Sequence, residues 1–537
     1  MDNVLQLEHN TSETEAKFNL ILKQIQDPAV KSSQLVEWLK QCTSAAHLLD
    51  KNHKKVVDVL LKVQWMEREP EVIAGFQSFV VSLVAANPVH LRSVIKSLIC
   101  CFVPILNQKI SDTRSDTTIH LVLKTFLNLI PQSSSTITTV FCNSFPYMSK
   151  PSKTIVLYVQ NLLYVTTYAP HIRSEILEII VKKLTDIDVH VTREEIEKAE
   201  EKYVDEEALF KMDEDAAEEM KHPLANKLDV LMQLLFQYIK EVSFKNENLV
   251  AESSKLFWEL ITCFDKFILP VHELVHVQFI MFYVCSFKQS FFKKFISHCW
   301  NKVVDPSIAC VIRKSSACYI ASLLARASYI SLPLVMSWLS EMVAWAHRYM
   351  QESLDSVFID AYCCDISRHY TFYSICQAIF YVLIFRHKKI FEADNGYNYL
   401  VSLNLQHLLT SPLNPLKVCL PSIVSLFSSI MRSHQVVYCD TIIERNNRMV
   451  LPIAGLSATT STDFNPLETF FPFDPYVLKR SCAFIETLYI VWESDELDAE
   501  GDGKHVDSSM SDWLMTETLN NLSKSLPKSL STTLDAV

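Results

Sequence analysis

The sequence predicts an all-α fold, and within that class a HEAT-repeat-like helical superhelix (an α-solenoid). Three observations carry this. The chain has 537 residues and only 5 glycines, where average usage would give roughly 38. Sandwiches and barrels need glycine at many tight turns, so an all-β fold is disfavoured. Apolar residues recur at helical spacing along most of the chain. The 20 prolines sit mostly between apolar segments, and those at or near expected helix starts are 18 to 53 residues apart from Pro70 to Pro333. Helix pairs of ~40 residues are the unit of HEAT and armadillo arrays.

Taken in order, residues 1–14 read as a flexible N-terminus without the basic and apolar regions of a secretory signal. Residues 15–492 read as one continuous repeat domain. Residues 53–64 place Val56, Val59, Leu60 and Val63 on one helix face. Pro28, Pro70, Pro88, Pro131, Pro151, Pro170, Pro223, Pro270, Pro306 and Pro333 fall at or near helix starts, where proline is tolerated. Residues 170–184 put Ile172, Ile176, Ile179, Ile180 and Leu184 on an apolar face, with Arg173, Glu175, Glu178, Lys182 and Lys183 elsewhere. The stretch 192–222 reads as a charged helix followed by an exposed acidic loop. Residues 271–289 and 376–385 are apolar almost all round, and predict two buried helices at the centre of the C-terminal half. Residues 455–463 read as a polar loop. Residues 493–537 read as a disordered acidic and Ser/Thr-rich tail, with a short helix at 512–523.

Composition excludes several classes. The five glycines form no G-x-G-x-x-G, no P-loop and no Gly-x-Ser-x-Gly, so the usual nucleotide cradles and nucleophile elbow are absent. No cofactor is implied. Apolar runs such as 279–287 and 378–385 are at most half of the ~18–20 residues that a membrane span needs. The 15 cysteines contain no C-x-x-C. They read as free thiols of a reducing compartment and not as a disulfide framework or a zinc ribbon. Net charge is −11. Residues 192–222 account for −8 and residues 493–507 for −6, so the body is close to neutral. This argues against a broad nucleic-acid-binding face, and allows at most a weak DNA contact.

His272-Glu273-Leu274-Val275-His276 matches H-E-x-x-H. On a helix, two imidazoles at i and i+4 share a face and the Glu activates a metal-bound water. The third ligand is missing. Phe279 and Phe282 stand where a metzincin has Gly and His, and residues 277–304 contain no Asp or Glu. The motif therefore reads as two histidines near the start of a buried helix, with a zinc hydrolase as a remote alternative. Lys293-Lys294, Arg386-His387-Lys388-Lys389, Arg445/Arg448 and Lys479-Arg480 are short basic clusters. Each suits a helix C-terminus, and together they suit a docking face. Ser133, Ser134, Ser135 and Thr136 follow Pro131. They read first as caps for the next helix and second as phosphorylation sites, where a phosphate adds about −2 charge.

Several strings resemble a known family. They are HVQFIMFYVCSFK (276–288), YIASLLARASYI (319–330), FYSICQAIFYVLIFRHK (372–388), LNPLKVCLPSIV (413–424), TIIERNNR (441–448) and NPLETFFPFDPYVLKRS (465–481). They closely resemble the RNA polymerase I-specific transcription initiation factor family, the TIF-IA type, from about residue 15 to 492. YVQNLLY (158–164) and EILEIIVKKL (175–184) are the clearest N-terminal pieces. The resemblance implies a non-enzymatic HEAT-repeat scaffold of the nucleus and nucleolus. It implies binding to RNA polymerase I and bridging to the promoter-bound selectivity complex at ribosomal RNA genes. Phosphorylation tunes such factors, and some members form homodimers. The resemblance makes Ser133, Ser134, Ser135, Thr136, Ser149 and Ser152 candidates for polymerase contact. Arg445, Arg448, Lys479 and Arg480 are candidates for the promoter complex. The acidic insert typical of the family is reduced here to about residues 107–118, which puts phosphorylation at Ser111 or Ser115 in doubt. A different helical-repeat adaptor is the main alternative.

Overall fold

The computed structural model describes residues 30–66, 68–102, 113–207, 219–246, 248–272, 274–355, 366–448, 467 and 471–491. The expected flexible N-terminus (1–14), Ser111, Glu273, the polar loop (455–463) and the tail (493–537, with the helix at 512–523) lie outside these residues. So does most of the expected acidic loop, at 208–218. The chain is all-α, apart from one hairpin of two-residue strands (Phe244–Lys245 and Asn248–Leu249) among the described residues. No single described helix is long and apolar enough to cross a membrane. It divides into two compact units, Met1–Lys183 and Leu184–Val537.

In the first unit the helices are α1 (Ser32–Ser44), α2 (Lys54–Leu60), α3 (Pro70–Ala86), α4 (Leu91–Cys100), α5 (Thr113–Leu129), α6 (Ser133–Asn143), α7 (Ser152–Tyr168) and α8 (Arg173–Asp188, whose last turn falls in the second unit). Helix α1 packs on α3, α3 on α5 and α5 on α7, while α4 packs on α6. This alternation of two layers is what stacked helical repeats produce, because each repeat buries its apolar stripe against its neighbours. Helix α3 shows why. Pro70 occupies its first turn, where the missing N–H costs nothing. Val72, Phe76, Phe79, Val80, Leu83 and Val84 then form a fully buried stripe. The apolar residues expected on 170–184 are all buried, as expected. Arg173, assigned to the polar face, is buried as well.

The second unit contains α9 (Arg193–Glu207), α10 (Pro223–Ser243), α11 (Glu252–Cys263), α12 (Phe279–Ser286), α13 (Gln289–Val304), α14 (Cys310–Arg326), α15 (Leu332–Asp355), α16 (Ile366–Glu392), α17 (Gly396–Ser402), α18 (Leu405–Leu409), α19 (Pro415–Val418), α20 (Pro421–Ser433) and α21 (Asp440–Arg448). Helix α9 opens with a reciprocal cap. The Glu195 amide donates to Thr192 Oγ1 and the Thr192 amide donates to Glu195 Oε2, both at 3.3 Å. Helix α16 is the spine. It packs on α14, α15 and α20, and every residue from Thr371 to Ile384 is buried.

Two expectations change. The buried helix expected at 271–289 is only α12; residues 269–272 and 274–278 are turns, bends and irregular backbone. Pro270 therefore opens a loop and not a helix. The second change concerns glycine. The sequence suggests few corners with positive φ, yet Asn246, Asn395, Asn404, Asn414 and Gln435 all adopt φ between 42° and 62°. Asn395, Asn404 and Asn414 stand at the starts of α17, α18 and α19. Asparagine tolerates the left-handed region better than most side chains do, and replaces glycine here. Gly396 meets a different need, since a Cβ there would overlap the Ile390 carbonyl. Gly396→Ala is expected to cost about 1–3 kcal/mol by overpacking, read as a lowered denaturation midpoint.

Candidate functional site

Helix α6 begins just after a turn closed by the Ser133 amide, which donates to the Ile130 carbonyl (2.8 Å). The four expected hydroxyls do not cap it. Its N-cap is Gln132, with no side-chain cap bond. Instead the Ser133 hydroxyl donates to the Phe126 carbonyl (3.3 Å), Ser134 to Pro131 (3.1 Å) and Ser135 to Gln132 (3.3 Å). These three hydroxyls are engaged by backbone carbonyls, and no side-chain cap bond forms at the helix start, so the capping reading fails. Ser133 is fully buried. Ser135 is exposed, while Ser134 and Thr136 are half-buried, and Ser134 also meets His171 Nε2 at 3.3 Å. Ser135, Thr136 and Thr139 form one wall of a cleft of about 320 Å³, whose opposite wall is Pro88, Val89, Leu91 and Arg92. Ser149 is exposed in the turn before α7 and Ser152 is half-buried at its first residue. Neither lines the cleft.

In the second unit the four basic candidates have different fates. Arg445 and Arg448 are exposed on α21, where Arg448 meets Glu444 at 3.3 Å. Their helix is fixed by Asn446, which exchanges amide hydrogen bonds with Asn414 (2.7 and 3.2 Å). Lys479 and Arg480 sit on residues 471–491, a strap laid across several helices. Lys479 Nζ pairs with Glu200 (2.7 Å) and Arg480 with Glu219 (2.7 Å). Both carboxylates flank the acidic stretch 201–218. These two cations are thus occupied within the chain.

Sequence reasoning missed what anchors the strap. Asp229 is fully buried on α10. Its carboxylate accepts the Arg480 amide (2.9 Å), the Ser481 amide (2.8 Å) and the Ser481 hydroxyl (2.6 Å). Gln278 donates to the Pro472 carbonyl (2.6 Å), and the Ser322 hydroxyl accepts the Phe473 amide (2.9 Å). The Phe471 ring stacks on Tyr381 with centroids 3.7 Å apart. Buried Arg326 faces Asp474 (3.8 Å) and lies over the Phe385 and Tyr489 rings at 4.3 and 5.3 Å. The signal was present for Asp229. It falls in register with Ala225, Leu228, Met232, Leu235 and Phe236 on the apolar stripe of α10, where an acid must find donors.

His272 and His276 each lie in a bend before α12 and not on a helix, so the one-face geometry that a zinc site needs from i and i+4 on a helix is not formed. His276 is fully buried and its Nδ1 bonds Asp188 Oδ1 (2.9 Å). Asp188 also accepts the His276 and Val277 amides (2.9 and 3.0 Å). That carboxylate satisfies the amides that the missing helical turn would have bonded internally. The zinc-hydrolase alternative falls on this geometry.

Comparison with known proteins accounts for this architecture. The family described as "RNA polymerase I specific transcription initiation factor RRN3" matches residues 3–496. The chain is 38% identical to the RNA polymerase I-specific transcription initiation factor RRN3 of Mus musculus, over 88% of this chain and 78% of that one. It is 24% identical to the corresponding factor of Saccharomyces cerevisiae, over 82% and 80%. A crystal structure of RNA polymerase I transcription initiation factor Rrn3 superposes with a TM-score of 0.70 at 24% identity, covering 91% of this chain and 96% of that one. A helical array matched over residues 3–496 by this group has one reading: the chain belongs to the RNA polymerase I-specific transcription initiation factor family, whose members are not enzymes.

Proposed function

We propose that this protein binds RNA polymerase I in the nucleus and nucleolus and bridges it to the promoter-bound selectivity complex at ribosomal RNA genes. The family match over residues 3–496 carries the reading. Helical-repeat surfaces suit it, because they present extended faces for protein partners. Ser134, Ser135, Thr136, Ser149 and Ser152 form the polymerase-facing part, all of them at least partly accessible. Ser133 acts from beneath, as a buried support. Arg445 and Arg448 form the freer half of the promoter-complex surface. Lys479 and Arg480 contribute to that surface by holding the strap, their charges being paired with Glu200 and Glu219.

Acidic replacement of Ser134, Ser135 and Thr136 together is expected to weaken recovery of RNA polymerase I from nuclear extract by about tenfold, the scale of like-charge juxtaposition at an interface. Unchanged recovery would remove these residues from the interface. Recovery of transport factors in place of polymerase subunits would favour a different helical-repeat adaptor. Sedimentation at increasing protein concentration tests self-association.

A further inference from the structure

We propose that the cleft between the α3–α4 corner and α6 is a binding site for an acidic side chain of a partner protein, with Arg92 as its charge partner. Arg92 is exposed and lines the cleft. Among the described residues it makes no ion pair or hydrogen bond. A guanidinium presents a rigid fork of donors matched to a carboxylate, and here no described residue uses it.

None of the residues lining the cleft is acidic. Arg92 is the second residue of α4, and Ser135 and Thr136 lie in the opening turns of α6. Neither helix has an acidic residue in its first turn or a side-chain cap. The Leu91 and Ser133 amides donate to the Pro88 and Ile130 carbonyls, and the dipoles of the two helices still leave partial positive charge near the cleft. A cation placed at a helix N-terminus is itself unfavourable, and an incoming anion relieves this. All of this occurs in a chain of net charge −11.

Size narrows the ligand. About 320 Å³ is at the lower end of small-molecule sites, which run from ~300 to ~1,000 Å³. It suits one or two side chains of a peptide. Val89, 56% exposed at the rim, offers apolar contact to the methylenes of a glutamate. The Ser135 hydroxyl, whose bond to Gln132 is long at 3.3 Å, is free to turn towards a carboxylate. A single guanidinium and a shallow cleft are poor equipment for a polynucleotide, which is bound through many phosphates. Only the identification of the partner as polymerase rests on the function proposed above; the acidic-ligand chemistry stands apart from it.

The test uses the full chain and a fluorescein-labelled Glu-Glu-Leu-Glu-Glu peptide, followed by anisotropy at low ionic strength beside its Gln-Gln-Leu-Gln-Gln counterpart. The glutamate peptide is expected to bind, and the glutamine peptide to bind about tenfold more weakly or not at all. Arg92→Glu and Ser135→Asp are each expected to weaken the glutamate peptide by about tenfold, and Arg92→Gln by about fivefold. Lys96→Glu, one turn along α4 and outside the cleft, should leave binding unchanged. Equal affinity for both peptides, or no effect of the Arg92 substitutions in protein with unchanged circular dichroism, would overturn the proposal. So would a DNA oligonucleotide that binds more tightly with the same dependence on Arg92. Recovery of RNA polymerase I by the same variants separates the two readings. Lost peptide binding with retained polymerase keeps the acidic site and removes polymerase as its partner. Lost polymerase with retained peptide binding overturns the acidic site alone.

Discussion

Asp229→Ala is expected to lower the stability of the second unit by about 3–5 kcal/mol, as removing one partner from a buried charged network does. The carboxylate holds two backbone amides and one hydroxyl of the strap in a fully buried position. Without it these donors lose their acceptor, at about 1–3 kcal/mol for each one left unsatisfied. The strap also carries Phe471, Phe473 and Leu478 into the core, so loosening one end exposes apolar surface. Thermal denaturation should show a lower midpoint, and limited proteolysis a new cleavage between residues 471 and 491. Asp229→Asn retains one good acceptor and should lose less. Equal stability of wild type and Asp229→Ala would mean that the strap is held by its aromatic residues alone.

Arg386→Ala is the second large effect, with an expected loss of about 3–5 kcal/mol. Arg386 is buried, and its Nε and Nη2 donate to the Leu324 and Ala327 carbonyls (2.8 and 2.6 Å). Those carbonyls belong to the end of α14, where the last four have no intrahelical partner. Burial lowers the guanidinium to about 10, so it remains charged at neutral pH and the two charge-assisted bonds persist. The substitution leaves both carbonyls unpaired and opens a cavity at the junction of α14 and α16. Arg386→Lys should recover only part of the loss, since one ammonium replaces a fork that spans two carbonyls. Urea denaturation of the three proteins orders them. A lysine variant as stable as wild type would show that charge, and not the fork, is what matters.

The basic residues expected at helix ends show how far local signals in the sequence reach. Arg386 was read as complementing a helix dipole at its own C-terminus. It instead turns inward and closes the end of another helix. Lys479 and Arg480 were read as a docking patch, and are paired with Glu200 and Glu219, 279 and 261 residues away. The serine cluster was placed correctly at a helix start, but its hydroxyls turn back to carbonyls, and one of the four is buried. The helix expected from Val271 onward was shortened by Asp188, which lies 88 residues before His276 and takes its amide.

What the sequence determined by itself was the all-α class, several helix starts and the family. These rest on local or cumulative signals: apolar residues three and four apart, proline at first turns, and long matching strings. Pro70 and Pro223, both expected near helix starts, each stand in the first turn of a helix, because the steric rule that places them involves only neighbouring residues. What only the tertiary structure decided was the fate of the polar and charged side chains, and with it the cleft at Arg92, the strap and the loss of the zinc geometry. A helical period reports which face is apolar. It does not report which distant donor or acceptor will meet a buried carboxylate, and that partner decides whether the residue builds the fold or remains available for binding.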